Sequence, residues 1–505
     1  MTFFVSNLLQ IYIDNKTLTK EPAGNIIEEY IISNKREWEC MVFSSLQFIG
    51  IFLPIFFLIY YLTPKNMKNA VVFIGSLVFY FIGTTDHLEH YILFLLSIMI
   101  NFWIGIFIDK FQKQKKLILI IGLIYNFGAL FCFKYLSFVA GEVNSLFPGL
   151  DMAVKLVLPI GISFYTFQGV SYIIDVYRGT VPVEKNLLNY GTYLSMYAQL
   201  IAGPIVVYDQ VRKELHKRRI TINMVATGLG IFIFGLGMKV LLANPLGKLW
   251  GQLNTIGYES ISTPLAWMGI IGFSFQLYFD FFGYSLMAVG LGRMMGFRLP
   301  KNFNHPYISC SMTEFWRRWH ITLSSWFRDY VYISLGGNRV GKLAHIRNLF
   351  IVWIFTGIWH GAGYNFVLWG VVLFLILIIE KYFLKKYLDK WPVVGHLYMI
   401  LLIPLTWAIF AIEDIGQLGV FFTRLFPFFG QGPWSIFELD YVKYWNMYYP
   451  FLLVGILFST KLPYKILKRL KHNNIIVVLL LLIILIASVY CMYQGYDDPF
   501  LYFRF

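Results

Sequence analysis

Long apolar stretches separated by short polar loops run through the chain from Met41 onward. The stretches lie near residues 43–62, 70–83, 91–108, 117–134, 154–175, 190–207, 223–244, 263–296, 349–380, 397–412, 448–460 and 475–493. A helix needs about 20 apolar residues to cross the hydrocarbon core of a membrane. The pattern therefore predicts an all-α polytopic membrane protein with about 10–12 transmembrane and re-entrant helices.

The composition indicates that lipid is the solvent of this chain. Of its 505 residues, 58% are hydrophobic and only 14% are charged, whereas a soluble domain has about 25% charged residues. The net charge of +15 comes from Lys and Arg in short loops between apolar stretches. That placement is typical of the cytoplasmic face of a membrane protein. We therefore expect membrane lipid as the surrounding partner and no nucleic-acid partner.

Residues 1–40 differ from the rest of the chain. They are polar and of mixed charge, and they lack the apolar core of a signal peptide. Apolar character begins abruptly at Met41. Residues 1–40 are either an N-terminal extension or lie upstream of a natural start at Met41, and residues 41–505 are expected to form a single transmembrane domain. The four cysteines show no metal-ligand spacing, so we expect no metal site.

The basic loops predict the orientation of the chain. Loops 109–116, 212–219, 385–390 and 461–472 are rich in Lys and Arg and should face the cytoplasm. Loop 135–152 is acidic and nearly free of Lys and Arg, so it should face outward. A full crossing by residues 190–207 would then place 212–219 outside. Gly203 and Pro204 break a helix, so we expect 190–207 to be re-entrant and buried in protein.

The same charge argument applies to residues 349–380, because basic residues flank this stretch on both sides. Its middle reads GIWHGAGYN, in which glycines surround His360. We predict a helical hairpin of two half-crossings with His360 near the turn. Between these two segments, residues 297–348 alternate Arg with aromatic residues. They are expected to form amphipathic helices at the cytoplasmic interface that fold partly into the core.

Ionisable residues within apolar segments are candidates for function, because they are costly in a membrane. His360 suits a general base, but a core histidine that hydrogen-bonds neighbouring helices is an equal alternative. His320 ends the sequence EFWRRWH and could instead anchor a helix at the interface. Asp280 is expected to pair with an interior Arg or Lys.

Three arginines between the two predicted membrane segments are candidates for anion binding. A guanidinium binds phosphate through paired hydrogen bonds, so they could hold a phosphate-bearing donor. Binding of anionic lipid explains them equally well. The residues are Arg317, Arg318 and Arg328.

Several blocks of sequence resemble a known family. They are MVFSS at 41–45, LPIGISFYTFQGVSYIIDVYRG at 158–179, LIAGPI at 200–205, QLYFDFFGYS at 276–285, EFWRRWHITLSSWFRDYVYISLGGNR at 314–339 and TGIWHGAGYNFVLWG at 356–370. In order and spacing these blocks resemble the membrane-bound O-acyltransferases, and most closely their alginate O-acetyltransferase branch.

The resemblance implies a ring of tilted helices around a thin centre, reached by an outer funnel and a cytoplasmic tunnel. It implies that His360 is the catalytic residue and His320 the second histidine of the site. Asp280 and Tyr284 are expected to line the pocket or to have structural roles. The candidates for substrate binding are Asp280, Tyr284, Arg317, Arg318 and Trp359.

The resemblance also implies an activity. An acyl group, most simply acetyl, would pass from a cytoplasmic thioester such as acetyl-CoA to a polysaccharide outside a bacterial plasma membrane. We expect no bound cofactor. We do expect a partner acyltransferase outside the cytoplasm. The alternatives are transfer of D-alanine to teichoic acid and a non-enzymatic transporter of glycan or lipid.

Three apolar residues depart from the family pattern. Val207 stands where the pattern has an arginine-bearing pair after LIAGPI, Phe282 replaces a small polar residue, and Leu286 replaces an acid. We hypothesise that the missing cation and acid form a buried pair in relatives, which apolar packing replaces here. The alternative is an altered acceptor funnel or a loss of activity.

Overall fold

The computed structural model describes residues 41–147, 149, 150, 152, 154, 156–200, 203–429, 437–470, 474–495 and 501. The expected extension at 1–40 lies outside the described residues. Helices dominate the described part, and it contains no β-strand. The all-α prediction is therefore confirmed.

The first half of the fold combines five helices of 15 or more residues with three short ones. In chain order they are α1 (Phe48–Leu62), α2 (Lys68–Ile82), α3 (Leu88–Lys110), α4 (Lys115–Leu146), α5 (Ile162–Arg178), α6 (Leu187–Ser195), α7 (Tyr197–Leu200) and α8 (Tyr208–His216).

The second half begins with the two longest apolar helices of this part of the chain. Its helices are α9 (Ile222–Ile256), α10 (Thr263–Met294), α11 (Met312–Arg318), α12 (Ile321–Trp326), α13 (Lys342–His360), α14 (Tyr364–Lys390), α15 (Pro392–Ala411), α16 (Ile415–Leu425), α17 (Asp440–Ser459), α18 (Leu462–Leu470) and α19 (Asn474–Tyr493).

Seven of the described helices are long and apolar enough to cross a membrane: α3, α4, α9, α10, α14, α15 and α19. Large apolar side chains such as Leu58, Ile124 and Ile400 are exposed on the outer faces of the protein. This exposure is expected where lipid rather than water covers the surface. The prediction of a multi-pass membrane protein is confirmed.

Helix α4 is longer than the sequence indicates. The expected outward loop 135–152 is helical as far as Leu146, so that loop assignment is wrong for most of its length. The long apolar run ends at Lys134, but residues 135–146 contain no proline and keep apolar residues such as Leu136, Phe138 and Val139, so the helix can continue. Lys134 and Tyr135 therefore lie within a helix rather than at its end.

Short helices form the buried centre of the molecule. Fourteen of the 17 residues of α5, six of the nine of α6 and all four of α7 are buried. Helices α6 and α7 have nine and four residues, which at about 1.5 Å per residue is too short to cross a bilayer. This agrees with the expected re-entrant segment, although residues 201 and 202 lie outside the described part.

Glycines let α9 and α10 pack in direct backbone contact. A Cβ atom at Gly283 would lie 2.6 Å from the carbonyl oxygen of Gly235, and one at Gly290 would lie 2.6 Å from that of Gly228. Small residues at seven-residue spacing on both helices allow this approach, as is common between helices in membranes. The crossing aligns Lys239 of α9 with Asp280 of α10.

Helices α13 and α14 form the predicted hairpin. His360 is the last residue of α13, and α14 begins at Tyr364. The arms touch closely, because a Cβ atom at Gly357 would lie 2.3 Å from the carbonyl oxygen of Phe366. The hairpin is confirmed, but its arms of 19 and 27 residues are longer than half-crossings. By length and composition, α14 alone is sufficient to cross a membrane.

Candidate active site

His360 lies in an aromatic enclosure at the tip of the hairpin. Its side chain is buried. The imidazole centroid is 5.2 Å from the rings of both Trp369 and Phe410, with both contacts nearly perpendicular. Trp369 follows on α14, and Phe410 is near the end of α15, so three helices fix the position of the imidazole. The sequence did not indicate Trp369 or Phe410, because the contacts depend on how α15 packs against the hairpin.

His320 is held by a hydrogen-bonded corner before α12. Its backbone is in the left-handed region, with φ at 42°, a conformation that non-glycine residues rarely adopt. Its Nδ1 lies 3.1 Å from Oδ1 of Asn302. That same oxygen accepts hydrogen bonds from the hydroxyl and amide of Thr322. Since Oδ1 is an acceptor, His320 donates through Nδ1, and Nε2 is left as the basic nitrogen.

Trp359 brings the two histidines into one site. Its ring centroid is 4.9 Å from that of His360 and 6.2 Å from that of His320. Phe281 packs edge-on against His320 at 4.7 Å, and Phe167 stacks on Trp359 at 5.5 Å. The structure thus places the predicted residues His320, Trp359 and His360 together, although 40 residues separate the histidines along the chain.

Lys134 and Tyr135 cap the helix that ends at His360. The ammonium group of Lys134 donates to the carbonyl oxygens of Trp359 at 2.5 Å and His360 at 3.2 Å. The Tyr135 hydroxyl donates to the carbonyl oxygen of Ile358 at 2.6 Å. The last carbonyls of a helix need such partners, and a cation there is favoured by the helix dipole. The sequence analysis missed both residues.

Replacing Lys134 by methionine is expected to lower kcat about 10- to 150-fold, because removing a charged hydrogen-bond donor costs about 1.5–3 kcal/mol of positioning at the tip. The Michaelis constants should change less, since Lys134 acts through the backbone carbonyls of the hairpin tip. Lys134→Arg should retain most of the activity. Equal loss in Lys134→Arg and Lys134→Met, with unchanged thermal stability, would contradict a capping role.

Asp280 has a structural partner. One of its oxygens lies 2.7 Å from Nζ of Lys239, with both side chains almost fully buried. The other accepts a hydrogen bond from the backbone amide of Leu501 at 2.8 Å. The expected pairing with an interior cation is therefore confirmed. Lys239 lies within the predicted apolar stretch 223–244, where it was visible as an isolated charge.

Tyr284 packs against the start of the described chain. Its ring stacks on Phe43 at 4.7 Å, and its hydroxyl accepts a hydrogen bond from the Phe43 amide at 3.3 Å. Tyr284 is completely buried. These contacts give Tyr284 a structural role, and it is Phe281 from the same block that touches His320.

The arginine candidates make local contacts. Arg318 donates to Glu314 of its own helix at 2.7 and 2.9 Å and to the carbonyl oxygen of Asn304. Arg317 is exposed, and Arg328 pairs with the adjacent Asp329. Arg318 is therefore engaged in holding α11. Binding of substrate by Arg317 or Arg318 stays a prediction.

The apolar departures from the family pattern take part in packing. Leu286 approaches Gly235 of α9, Phe282 stacks on Tyr278 at 5.4 Å, and Val207 precedes α8. The idea that relatives carry a buried pair at positions 207 and 286 stays a hypothesis.

One group of potential metal ligands lies outside the site. His87, Glu89 and His90 each offer a ligand atom within 4.8 Å of the others. The expectation of no metal site stays a prediction.

The fold and site define a class of protein: an all-helical, multi-pass membrane protein with two buried imidazoles sharing one indole at a hairpin tip. The sequence model of the membrane-bound O-acyltransferase family matches residues 183–393, which include both histidines. A protein named "Probable alginate O-acetylase AlgI" from Pseudomonas syringae pv. tomato is 38% identical over 410 residues, covering 79% of this chain and 77% of its own. The chain belongs to the membrane-bound O-acyltransferase family and is an acyltransferase.

Two other relatives show the breadth of the similarity. The peptidoglycan O-acetyltransferase of Helicobacter pylori is 35% identical over 378 residues, covering 68% of this chain and 70% of its own. The teichoic acid D-alanyltransferase of Bacillus subtilis is 29% identical over 248 residues, covering 47% of this chain and 61% of its own.

Proposed function

We propose that the protein transfers an acetyl group from a cytoplasmic thioester donor, with acetyl-CoA the simplest choice, for O-acetylation of an extracellular or cell-wall polysaccharide. The observation that carries the proposal is the pair of buried imidazoles on Trp359. The names of the relatives with 35–38% identity support acetyl transfer to a polysaccharide.

The proposed chemistry uses His360 as general base. The oxygen of an acceptor hydroxyl attacks the carbonyl carbon of the thioester while His360 removes the hydroxyl proton. The carbon–sulfur bond then breaks, and the proton passes from His360 to the departing thiolate. If the first acceptor is instead a hydroxyl of a partner protein, the same steps apply: the hydroxyl takes the acetyl group, and its proton goes to the departing thiolate.

Asn302 defines the contribution of His320. Because Nδ1 donates to Asn302, Nε2 carries no proton and can act only as a hydrogen-bond acceptor. An acceptor at Nε2 suits orientation of the attacking hydroxyl better than stabilisation of negative charge on the carbonyl, which requires a donor. The surrounding indole and phenyl rings exclude water, which would otherwise hydrolyse the thioester.

The cellular arrangement is part of the proposal. The protein would lie in a bacterial plasma membrane as one domain from residue 41 to 505, with its basic loops in the cytoplasm. The donor would reach the histidines from the cytoplasm and the acceptor from outside. An extracytoplasmic partner acyltransferase would complete transfer to the polymer.

The direct test is transfer by the purified protein in liposomes. Labelled acetyl-CoA and a D-alanyl thioester carrier are offered separately to a soluble polysaccharide or short glycan acceptor. We expect alkali-labile acetyl ester on the acceptor, with one free thiol released per acetyl transferred. Efficient transfer of D-alanine alone would favour the teichoic acid alternative. Movement of glycan across the bilayer without thiol release would favour the transporter alternative.

A further inference from the structure

A cavity with several charged residues in its lining lies where the loop after α5 meets α8. Its volume is about 470 Å³. The lining residues come from two short stretches of the chain: Pro182, Val183, Glu184, Lys185, Tyr208, Arg212, Lys213 and His216. Neither stretch contributes a side chain to the two-histidine site, so this cavity has no assigned purpose in the proposed chemistry.

The cavity is positively charged, and its one acid is internally satisfied. Lys185, Arg212 and Lys213 supply three cations. Glu184 is buried and contacts the Tyr208 hydroxyl at 2.7 Å and Nε2 of His216 at 3.0 Å. Because these contacts engage the Glu184 carboxylate, it should repel an anionic ligand in the cavity only weakly.

Arg212 has donor capacity left over. One terminal nitrogen lies 3.2 Å from Asp209 on the same helix. Its side chain is 31% exposed and lines the cavity. A guanidinium and two lysines around one cavity match the charge of a phosphate group.

Residues 205–208 connect this cavity to the histidine site. The amide of Ile205 donates to the hydroxyl of Thr322, two residues after His320, at 2.9 Å. Three residues later, Tyr208 lines the cavity. Three residues of chain reach at most about 11 Å. The cavity and His320 are therefore separated by a few residues of chain and one hydrogen bond, a separation that a donor with phosphate at one end of a flexible arm can span.

We propose that this cavity, built around Lys185, Arg212 and Lys213, binds the phosphate groups of the acyl donor, an assignment that rests on the proposed function. The nucleotide end of a coenzyme A thioester has this chemistry, and its arm ends in the reactive thioester. An anionic lipid headgroup offers the same phosphate chemistry. The two sources differ in whether the free coenzyme competes for the cavity.

The test is binding of coenzyme A to the purified full-length protein in nanodiscs of neutral phosphatidylcholine, measured by calorimetry. The double variant Lys185→Gln/Lys213→Gln should bind about tenfold more weakly, because it loses two charge-assisted contacts. The matched control Lys113→Gln/Lys116→Gln removes two exposed lysines from another basic loop and should stay within about twofold of wild type. Equal affinities of the cavity variant and the control would overturn the proposal.

A second arm separates the two phosphate sources. Pantetheine, which lacks phosphate, should bind equally weakly to wild type and cavity variant. The proposal predicts that nanodiscs containing phosphatidylglycerol leave coenzyme A affinity within about twofold, apart from general screening. If phosphatidylglycerol blocks the coenzyme and its own binding needs Lys185 and Lys213, the cavity is a lipid site and the donor assignment is overturned.

Steady-state kinetics with acetyl-CoA separate two outcomes: the cavity does not bind the donor, or the protein does not transfer acetyl groups. The cavity variant should raise KM for acetyl-CoA about tenfold with little change in kcat, since the phosphate contacts are remote from the reacting atoms. Unchanged KM with normal transfer would overturn the cavity assignment alone. Phosphate-dependent binding of coenzyme A without acetyl transfer to any hydroxyl would instead contradict the proposed function.

Discussion

Replacing His360 by asparagine should lower acyl transfer about 100- to 10,000-fold, the range expected when a general base is removed. The fold should survive, because asparagine is smaller than histidine and Trp369 and Phe410 are held by their own helices. The loss should appear in kcat rather than in donor affinity, since the imidazole acts on the proton that moves in the transition state.

The matched control is His396→Asn. His396 is exposed near the start of α15, so the same chemical change there should leave transfer within about twofold, as is usual for surface positions. Transfer is measured by thiol release in liposomes at equal protein content, with thermal stability recorded for each variant. Normal turnover in a folded His360→Asn protein would show that this histidine is a structural core residue, as its burial also allows.

Breaking the Lys239–Asp280 pair should have the largest effect on stability. Removing one partner of a buried ion pair costs about 3–5 kcal/mol, because the other charge is left buried without compensation. Lys239→Met and Asp280→Asn should each lower the thermal midpoint in detergent by several degrees. The double variant Lys239→Met/Asp280→Leu should recover most of the loss, because an apolar pair of similar volume removes both desolvation costs.

An exposed pair on α14 gives the control for this prediction. Lys385 and Asp389 lie 2.8 Å apart with side chains 67% and 63% exposed. Breaking such a pair should cost less than about 1 kcal/mol. If Lys239→Met is no more destabilising than Lys385→Met, or if the double variant is worse than both singles, the buried pair does not hold α9 against α10.

The pattern of apolar stretches was sufficient to predict the class of fold and the hairpin around His360. Those features depend on local composition, on the glycines of the GIWHGAGYN segment and on the charges that flank it. The short buried helices were partly predictable, since Gly203 and Pro204 exclude a continuous helix there. The predicted end of α4 at residue 134 is wrong, because a single lysine after an apolar run resembles the end of a membrane segment.

The partners that position the two histidines could not be predicted from the sequence, because they come from distant parts of the chain. Lys134 reaches the carbonyl of His360 across 226 positions, and Asn302 orients His320 from a stretch with no regular helix. Neither contact leaves a periodic signal. For Asp280 the sequence predicted the kind of partner but not Lys239 itself, which was visible as the charge inside residues 223–244.

The acetyl content of polysaccharides is the most direct test of whether imidazole-dependent acyl transfer by this protein modifies a polysaccharide. Extracellular and wall polysaccharides are purified from cells that produce wild type, His360→Asn, His396→Asn or no protein, at matched membrane levels. We predict ester-linked acetyl in one fraction with wild type and His396→Asn, and its loss with His360→Asn. Equal acetyl content with His360→Asn and wild type, or no dependence on the protein in any fraction, would contradict the account.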